Sequence, residues 1–106
     1  MVETLKCGTP IVSSDCACGP REILAPDTDI LHNTDKIEYA EYGVLTPVCT
    51  CDYFADDISE QEEMMAEAII HVLSTSELAM KYQTNSAERI RDFNIDKIAA
   101  EWLKLV

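Results

Sequence analysis

The chain has 106 residues, the usual size of one domain, and can bury a core of moderate size. Its formal net charge is -12 with only eight Lys and Arg residues, which argues against a nucleic-acid partner, because such binding depends on cations that neutralise phosphates. No apolar run approaches the roughly 18 residues of a membrane span, and Met1 does not begin a signal-peptide pattern, so we expect a cytoplasmic location.

The first 24 residues predict helix, strand, loop and helix in that order. Val2–Lys6 indicates a short helix, and residues 11–14 indicate a short buried strand. Gly19 and Pro20 end the loop that follows, and residues 21–24 predict a turn of helix, since proline is tolerated at a first helical position. This order is typical of an α/β unit, in which ligands bind beyond the carboxyl ends of the strands.

The later half of the chain predicts helices. Ser59 and Glu62 have the spacing of a capping box, a second helix is expected to begin at Ser74 or Ser76, and Asn94 is expected to cap a third. The third helix has a strong apolar face that needs a surface to cover it. That face is formed by Ile95, Ile98, Ala99, Trp102, Leu103 and Val106.

An ordered set of short motifs runs through the chain. The set comprises Glu3, Cys7-Gly8-Thr9-Pro10, Asp15-Cys16, Gly19-Pro20-Arg21-Glu22-Ile23-Leu24, the strand Tyr42-Gly43-Val44-Leu45 closed by Pro47, and Phe93-Asn94-Ile95-Asp96. It resembles the group-1 (family 4) glycosyltransferases. Within that family the likeness is to bacterial enzymes that build capsular or lipopolysaccharide sugars.

The resemblance implies a fold and a missing segment. In the family, two glutamates separated by seven residues lie in the C-terminal half of a two-domain GT-B enzyme, and Glu3 falls on the second of them. The first would precede Met1, so we expect the chain to be truncated at its N-terminus. The implied fold is an α/β, partial Rossmann-like GT-B C-terminal unit with two or three parallel strands and about four helices. Residues 1–106 would form a single partial domain, with the nucleotide-binding part at 1–58 and C-terminal helices at 59–106.

The resemblance also implies a function. The reaction would transfer a sugar from a nucleotide-sugar, expected to be a UDP-sugar, to a glycan or lipid-linked acceptor in bacterial surface polysaccharide biosynthesis. The implied contacts to the donor are Glu3, Thr4, Gly19 and Arg21, and the Glu3 carboxylate would accept hydrogen bonds from the ribose hydroxyls. Family members work without a bound metal. Their diphosphate-binding cations and their N-terminal domain lie outside this chain, so we assign no catalytic residue and expect the isolated chain to be inactive.

Each proposed contact has a simpler interpretation. Glu3 could be a solvated acid that favours the positive end of its own helix. Gly19 could form a turn without approaching a ligand. Arg21 could pair with Glu22 or with another of the 20 acids. The alternative function is a non-catalytic interaction module that uses the exposed strand edge and the last helix.

Five cysteines raise the question of a metal site. Cys16-x-Cys18 and Cys49-x-Cys51 supply four thiols, enough for a tetrahedral zinc. Zinc ribbons, however, have two residues between the paired cysteines, and this chain has one. We therefore predict no metal, and the odd number of cysteines also argues against a disulfide framework.

Surfaces left uncovered predict self-association. The edges of the strands at 11–14 and 42–45 and the apolar face of the last helix would ordinarily be covered. We expect a homodimer or higher oligomer, located in the cytoplasm or at the inner face of the membrane.

Overall fold

The computed structural model describes residues 1–49 and 57–106. In these ranges the elements are α1 (Val2–Lys6), β1 (Val12–Ser14), α2 (Pro20–Leu24), β2 (Glu38–Tyr39), β3 (Val44–Thr46), α3 (Glu60–Ser74), α4 (Ser76–Arg89), a 3-10 turn (Ile90–Phe93) and α5 (Ile95–Leu103). The predicted α/β character is confirmed. None of the helices in the described part of the chain is long and apolar enough to cross a membrane.

The three strands form a mixed sheet in the order β1-β3-β2. β1 and β3 are parallel, with Val12 opposite Val44, as predicted for this pair. β2, a strand that was not predicted, is antiparallel to β3, with Glu38 opposite Leu45, so the expectation of two or three parallel strands is met by two strands and the third makes the sheet mixed. The physical reason is the short connection: only residues 40–43 separate β2 from β3, whereas a parallel crossover needs a dozen residues or more.

The sheet divides the core into two clusters because successive side chains of β3 point to opposite faces. Leu45 packs with α1 and α2 in one cluster, whose buried members are Leu5, Ile11, Leu24, Ala25, Tyr42 and Leu45. Val44 packs with α3 and α4 in the other, whose buried members are Val44, Ala68, Val72 and Tyr82. Helices therefore cover both faces of β3.

Gly43 allows a close approach between β3, the segment before β1 and α2. A Cβ at this position would lie 3.0 Å from the Ile11 carbonyl oxygen and 3.0 Å from Leu24 Cδ2. The missing side chain lets β3 begin directly against the segment that leads into β1, with α2 packed on top. Tyr42 N–H then donates to the Leu24 carbonyl over 3.1 Å, which closes the end of α2.

Local capping sets the starts of the C-terminal helices. Ser59 Oγ accepts a hydrogen bond from Glu62 N over 3.2 Å, and Asn94 Oδ1 accepts one from Asp96 N over 2.8 Å. Both caps were predicted, and α4 begins at Ser76, one of the two serines proposed. α3 lies across β1 and β3, whereas α5 contacts mainly the 3-10 turn before it.

Tyr82 carries a buried hydroxyl that has no hydrogen-bond partner in the described residues. Burial, with a smaller contribution from Tyr39, raises the pKa of this phenol to about 12. The neutral form is therefore favoured inside the fold. As the pH rises from about 10, where an unfolded tyrosine ionises, toward 12, this contribution to stability is lost, on the order of 2 kcal/mol.

We predict that Tyr82→Phe keeps or raises the free energy of unfolding at pH 7, by up to about 1 kcal/mol, because it removes an unpaired buried hydroxyl. The variant should also lose less stability than the wild type between pH 9 and 11. Urea unfolding across this pH range checks both effects. Tyr39→Phe, which removes an exposed hydroxyl bonded to His71 Nδ1 and only the smaller contribution to the Tyr82 pKa, is the comparison variant and should flatten the alkaline decline less than Tyr82→Phe does. A loss of more than 1 kcal/mol at pH 7 in Tyr82→Phe would contradict the assignment.

Candidate functional site

The candidate site lies at the carboxyl ends of the parallel strands. β1 and β3 end at the same edge of the sheet, where Asp15 N–H donates to the Thr46 carbonyl over 2.8 Å. Residues 16–19 follow as a loop and lead into α2. In open α/β sheets, ligands bind in the crevice beyond this edge.

A buried ion cluster lies directly behind this loop. Arg21 Nη2 is 2.7 Å from Asp15 Oδ2, and Arg21 Nε is 3.2 Å from both Asp15 oxygens. The two side chains are 3% and 1% exposed, so water screens this pair very little. Asp15 Oδ2 also accepts the Thr34 amide over 2.7 Å. Asp15, just before the loop, and Arg21, two residues after it, are thus bonded to each other.

Arg21 has further partners on the opposite side of its guanidinium. Its two Nη atoms donate to the Glu38 carboxylate over 2.9 and 3.0 Å, and Nη1 also donates to Thr28 Oγ1 over 2.9 Å. All five N–H donors of the guanidinium are thereby used. The hydrogen bonds that Arg21 donates to Glu38 and Asp15 raise the pKa of the guanidinium above its ordinary value.

The predicted role of Arg21 was a contact to the ligand, but in the structure its donors are taken up by protein partners. One guanidinium faces two carboxylates, so the cluster has a formal charge of -1 and offers no spare positive charge to a phosphate. The alternative interpretation, pairing with an acid, is confirmed, although the partners are Asp15 and Glu38 instead of Glu22. Direct contact with a nucleotide-sugar stays a prediction, and it would require the cluster to open.

Glu3 is exposed in the first turn of α1. Its side chain is 93% exposed, and Oε2 lies 3.4 Å from the N-terminal ammonium. A hydrogen bond from its own backbone amide, followed by the ammonium, lowers the pKa of the Glu3 carboxyl. The carboxylate is therefore ionised and accessible, as an acceptor for two hydroxyl groups would need to be.

Thr4 lines a shallow open groove of about 380 Å³. The other lining residues are Met1 and residues 10–13, which lead into and begin β1. This groove runs beside the outer edge of β1 and includes neither Gly19 nor Arg21. The structure therefore places Glu3 and Thr4 on α1 and the other two predicted contacts on the loop and α2, without joining all four in one cavity.

Gly19 occupies a backbone conformation that favours glycine, with φ 137° and ψ -73°. It precedes Pro20 at the start of α2, and no atom lies within 4 Å of where its Cβ would be. Cys18, next to it, also has a positive φ of 63°. The open space beside Gly19 is consistent both with a turn and with a close approach of a ligand to the backbone.

The cysteines are free thiols in the described residues. Cys7, Cys16 and Cys18 are exposed and Cys49 is partly exposed, whereas Cys51 lies outside the described residues. Within residues 1–49 and 57–106, no group of three or more His, Cys, Asp or Glu side chains is arranged to hold a metal ion.

Sequence reasoning did not identify the partners of Arg21. Asp15 directly follows the half-buried β1, and an acid at such a position together with an Arg in the short helix that comes next is a signal for a buried pair. Glu38 carried no such signal, because it lies 17 positions from Arg21 and meets it only through the strand pairing.

Comparison with known proteins identifies a similar chain. No protein-family model and no solved structure matches. An uncharacterized glycosyltransferase of Methanocaldococcus jannaschii is 35% identical over 111 aligned positions, which take in all of this chain and 27% of the relative. The chain thus spans about a quarter of that relative's length. Along its whole length, it resembles part of a glycosyltransferase.

Proposed function

We propose that this chain forms part of the nucleotide-sugar-binding domain of a group-1 (family 4) glycosyltransferase of GT-B fold. The observation that carries the proposal is the match of the whole chain to a glycosyltransferase, together with the motifs of residues 3–24. The parallel pair β1 and β3, with helices on both faces, supports a partial Rossmann-like arrangement, which the antiparallel β2 extends.

The proposed reaction transfers a sugar from a UDP-sugar to a glycan or lipid-linked acceptor. We place it in bacterial surface polysaccharide biosynthesis, in the cytoplasm or at the inner face of the membrane. Glu3 is proposed to accept hydrogen bonds from the ribose hydroxyls. Two further contacts to the nucleotide-sugar are proposed: Thr4 from α1, and the backbone at Gly19 from the loop before α2.

The negative charge of the chain indicates that such a site needs additional cations to bind a diphosphate. The chain has a net charge of -12, and the two arginines bonded in or to α2 are engaged: Arg21 in the ion cluster, and Arg89 with the carbonyls of Glu22 and Ile23. A diphosphate leaving group requires positive charge in the transition state. We therefore propose that cations from outside these 106 residues supply it, and we expect this chain alone to be inactive.

Exposed apolar surface supports a second proposal, self-association. On α5, Trp102 is 69% and Leu103 is 72% exposed. We propose that α5, with the outer edge of β1, joins two copies into a homodimer or higher oligomer. A purely non-catalytic interaction module is not favoured, because the relative is a glycosyltransferase.

We predict that Glu3→Ala weakens UDP binding roughly tenfold or more, because it removes the charged acceptor for the ribose hydroxyls. In the isolated chain we expect millimolar affinity, which NMR chemical-shift titration with UDP can measure. Glu60→Ala, which removes another exposed acid from the first turn of a helix, is the control and should leave the affinity unchanged. Equal dissociation constants for wild type and Glu3→Ala would rule out this role.

Metal removal should have no effect. We predict that EDTA leaves the melting temperature of the chain unchanged, because a four-thiolate zinc site would contribute directly to folding and its loss would unfold the protein. Thermal unfolding followed by circular dichroism, with elemental analysis of the same sample, checks this. Stoichiometric zinc with a chelator-sensitive melting temperature would establish a metal site instead.

We predict that Trp102→Glu converts the oligomer to monomer, because it places a charge in the apolar face of α5. Light scattering at high micromolar concentration measures the mass. Ile70→Glu is the matched control: Ile70 is 65% exposed on α3, and its replacement changes the net charge equally. A monomer mass for the wild type would refute the proposed association, and equal effects of the two variants would exclude α5 as its specific site.

A further inference from the structure

The loop at residues 16–19 contains two consecutive residues with positive φ. Cys18 has φ 63° and Gly19 has φ 137°. For a residue with a side chain such as Cys18, this conformation is uncommon and persists when the surrounding structure imposes it. The loop has few contacts of its own: Cys16 and Cys18 are exposed, and nothing surrounds the Cβ position of Gly19. Something outside the loop must therefore hold its shape.

The ion cluster is placed to do this. Asp15 immediately precedes the loop and Arg21 lies two residues after it, and their side chains are bonded at 2.7 and 3.2 Å in a nearly water-free setting. The backbone of Asp15 is also fixed, because its N–H donates to Thr46 in β3. Both ends of the loop are thus fixed relative to the sheet edge.

The same guanidinium reaches a second segment at this edge. β2 is antiparallel to β3, so the residues just before Glu38 lie beside the carboxyl end of β3. Arg21 binds Glu38 and Thr28, and Asp15 binds the Thr34 amide, so both ends of the segment between α2 and β2 are tied to the cluster. Two loops that flank the carboxyl edge of the parallel strands therefore depend on one side chain.

We infer that Arg21 is a positioning residue, which shapes the loop at residues 16–19 and couples it to the segment before β2 without touching the ligand. The inference rests on the proposed function only in identifying this loop as part of a nucleotide-sugar site. In this role Arg21 affects ligand binding through the loop, instead of through the direct contact that the resemblance implied. The geometric requirement is specific to arginine, because five donors in a planar fork serve Asp15, Glu38 and Thr28 at once, whereas a lysine has three donors on one nitrogen.

The first arm of the test needs no ligand. Backbone ¹⁵N relaxation gives order parameters for the amides of residues 16–19 in the wild type, Arg21→Met, Arg21→Lys and Val72→Ala. We expect about 0.85 in the wild type, below roughly 0.6 in Arg21→Met, and an intermediate value in Arg21→Lys. Hydrogen exchange of the Thr34 amide, which donates to Asp15, should accelerate in the same order.

Val72→Ala separates positioning from general destabilisation. Val72 lies in the core cluster on the other face of the sheet and takes part in none of the hydrogen bonds of the ion cluster, so its truncation should lower stability and leave the loop ordered. If Arg21→Met does not fold, Arg21→Lys carries the test, because it keeps the positive charge beside Asp15. Wild-type loop order in a folded Arg21 variant, or equal loosening in Val72→Ala, would overturn the inference.

The second arm is UDP titration of the same proteins. We expect Arg21→Lys to weaken binding about fivefold to tenfold and Val72→Ala to leave it unchanged at a temperature where both are folded. A loosened loop with no loss of UDP affinity would overturn the link between loop and ligand. If the wild type itself binds no UDP but the loop loosens as expected, the proposed function fails and the positioning of the loop by Arg21 stands.

Discussion

The Arg21 guanidinium holds together segments that are distant in the chain. Its partners Asp15, Thr28 and Glu38 belong to the end of a strand, a loop and the next strand. Taking these charges out of water is unfavourable unless the geometry satisfies every donor. In this structure every N–H donor of Arg21 has an acceptor. The loops around the sheet edge are therefore held in positions that keep all of these hydrogen bonds.

Features that depend on neighbouring residues could be predicted from the sequence. Ser59 and Asn94 cap their helices by bonds to amides two or three residues away, and the residue types alone identify such caps. The strand at residues 42–45 was predicted two residues too early at its start, because Tyr42 and Gly43 belong to the tight turn. The direction of the two-residue β2 could not be read from periodicity, since such a strand is too short to show any.

The candidate site was predictable in outline and not in detail. The motif order placed a loop at the carboxyl end of β1, and the structure has it there. Whether Arg21 faces a ligand or the protein interior depends on which acid comes within reach after the strands pair, and Glu38 does so from 17 positions away. Local sequence carries no information about such a distance. The exposure of Glu3, by contrast, could be predicted from local sequence, because it depends only on the position of Glu3 in the first turn of α1.

The division of the core by the sheet has a consequence for how the fold comes apart. The two apolar clusters lie on opposite faces and meet at β3, whose three residues are all buried and alternate between them. Disrupting either cluster exposes one face of β3 and weakens the packing of the cluster on its other face. The two clusters should therefore unfold together, because Val44 and Leu45 are neighbours on the same strand. We expect amide protection of β3 to report global opening, while the ends of α5, which belong to neither cluster, fray independently.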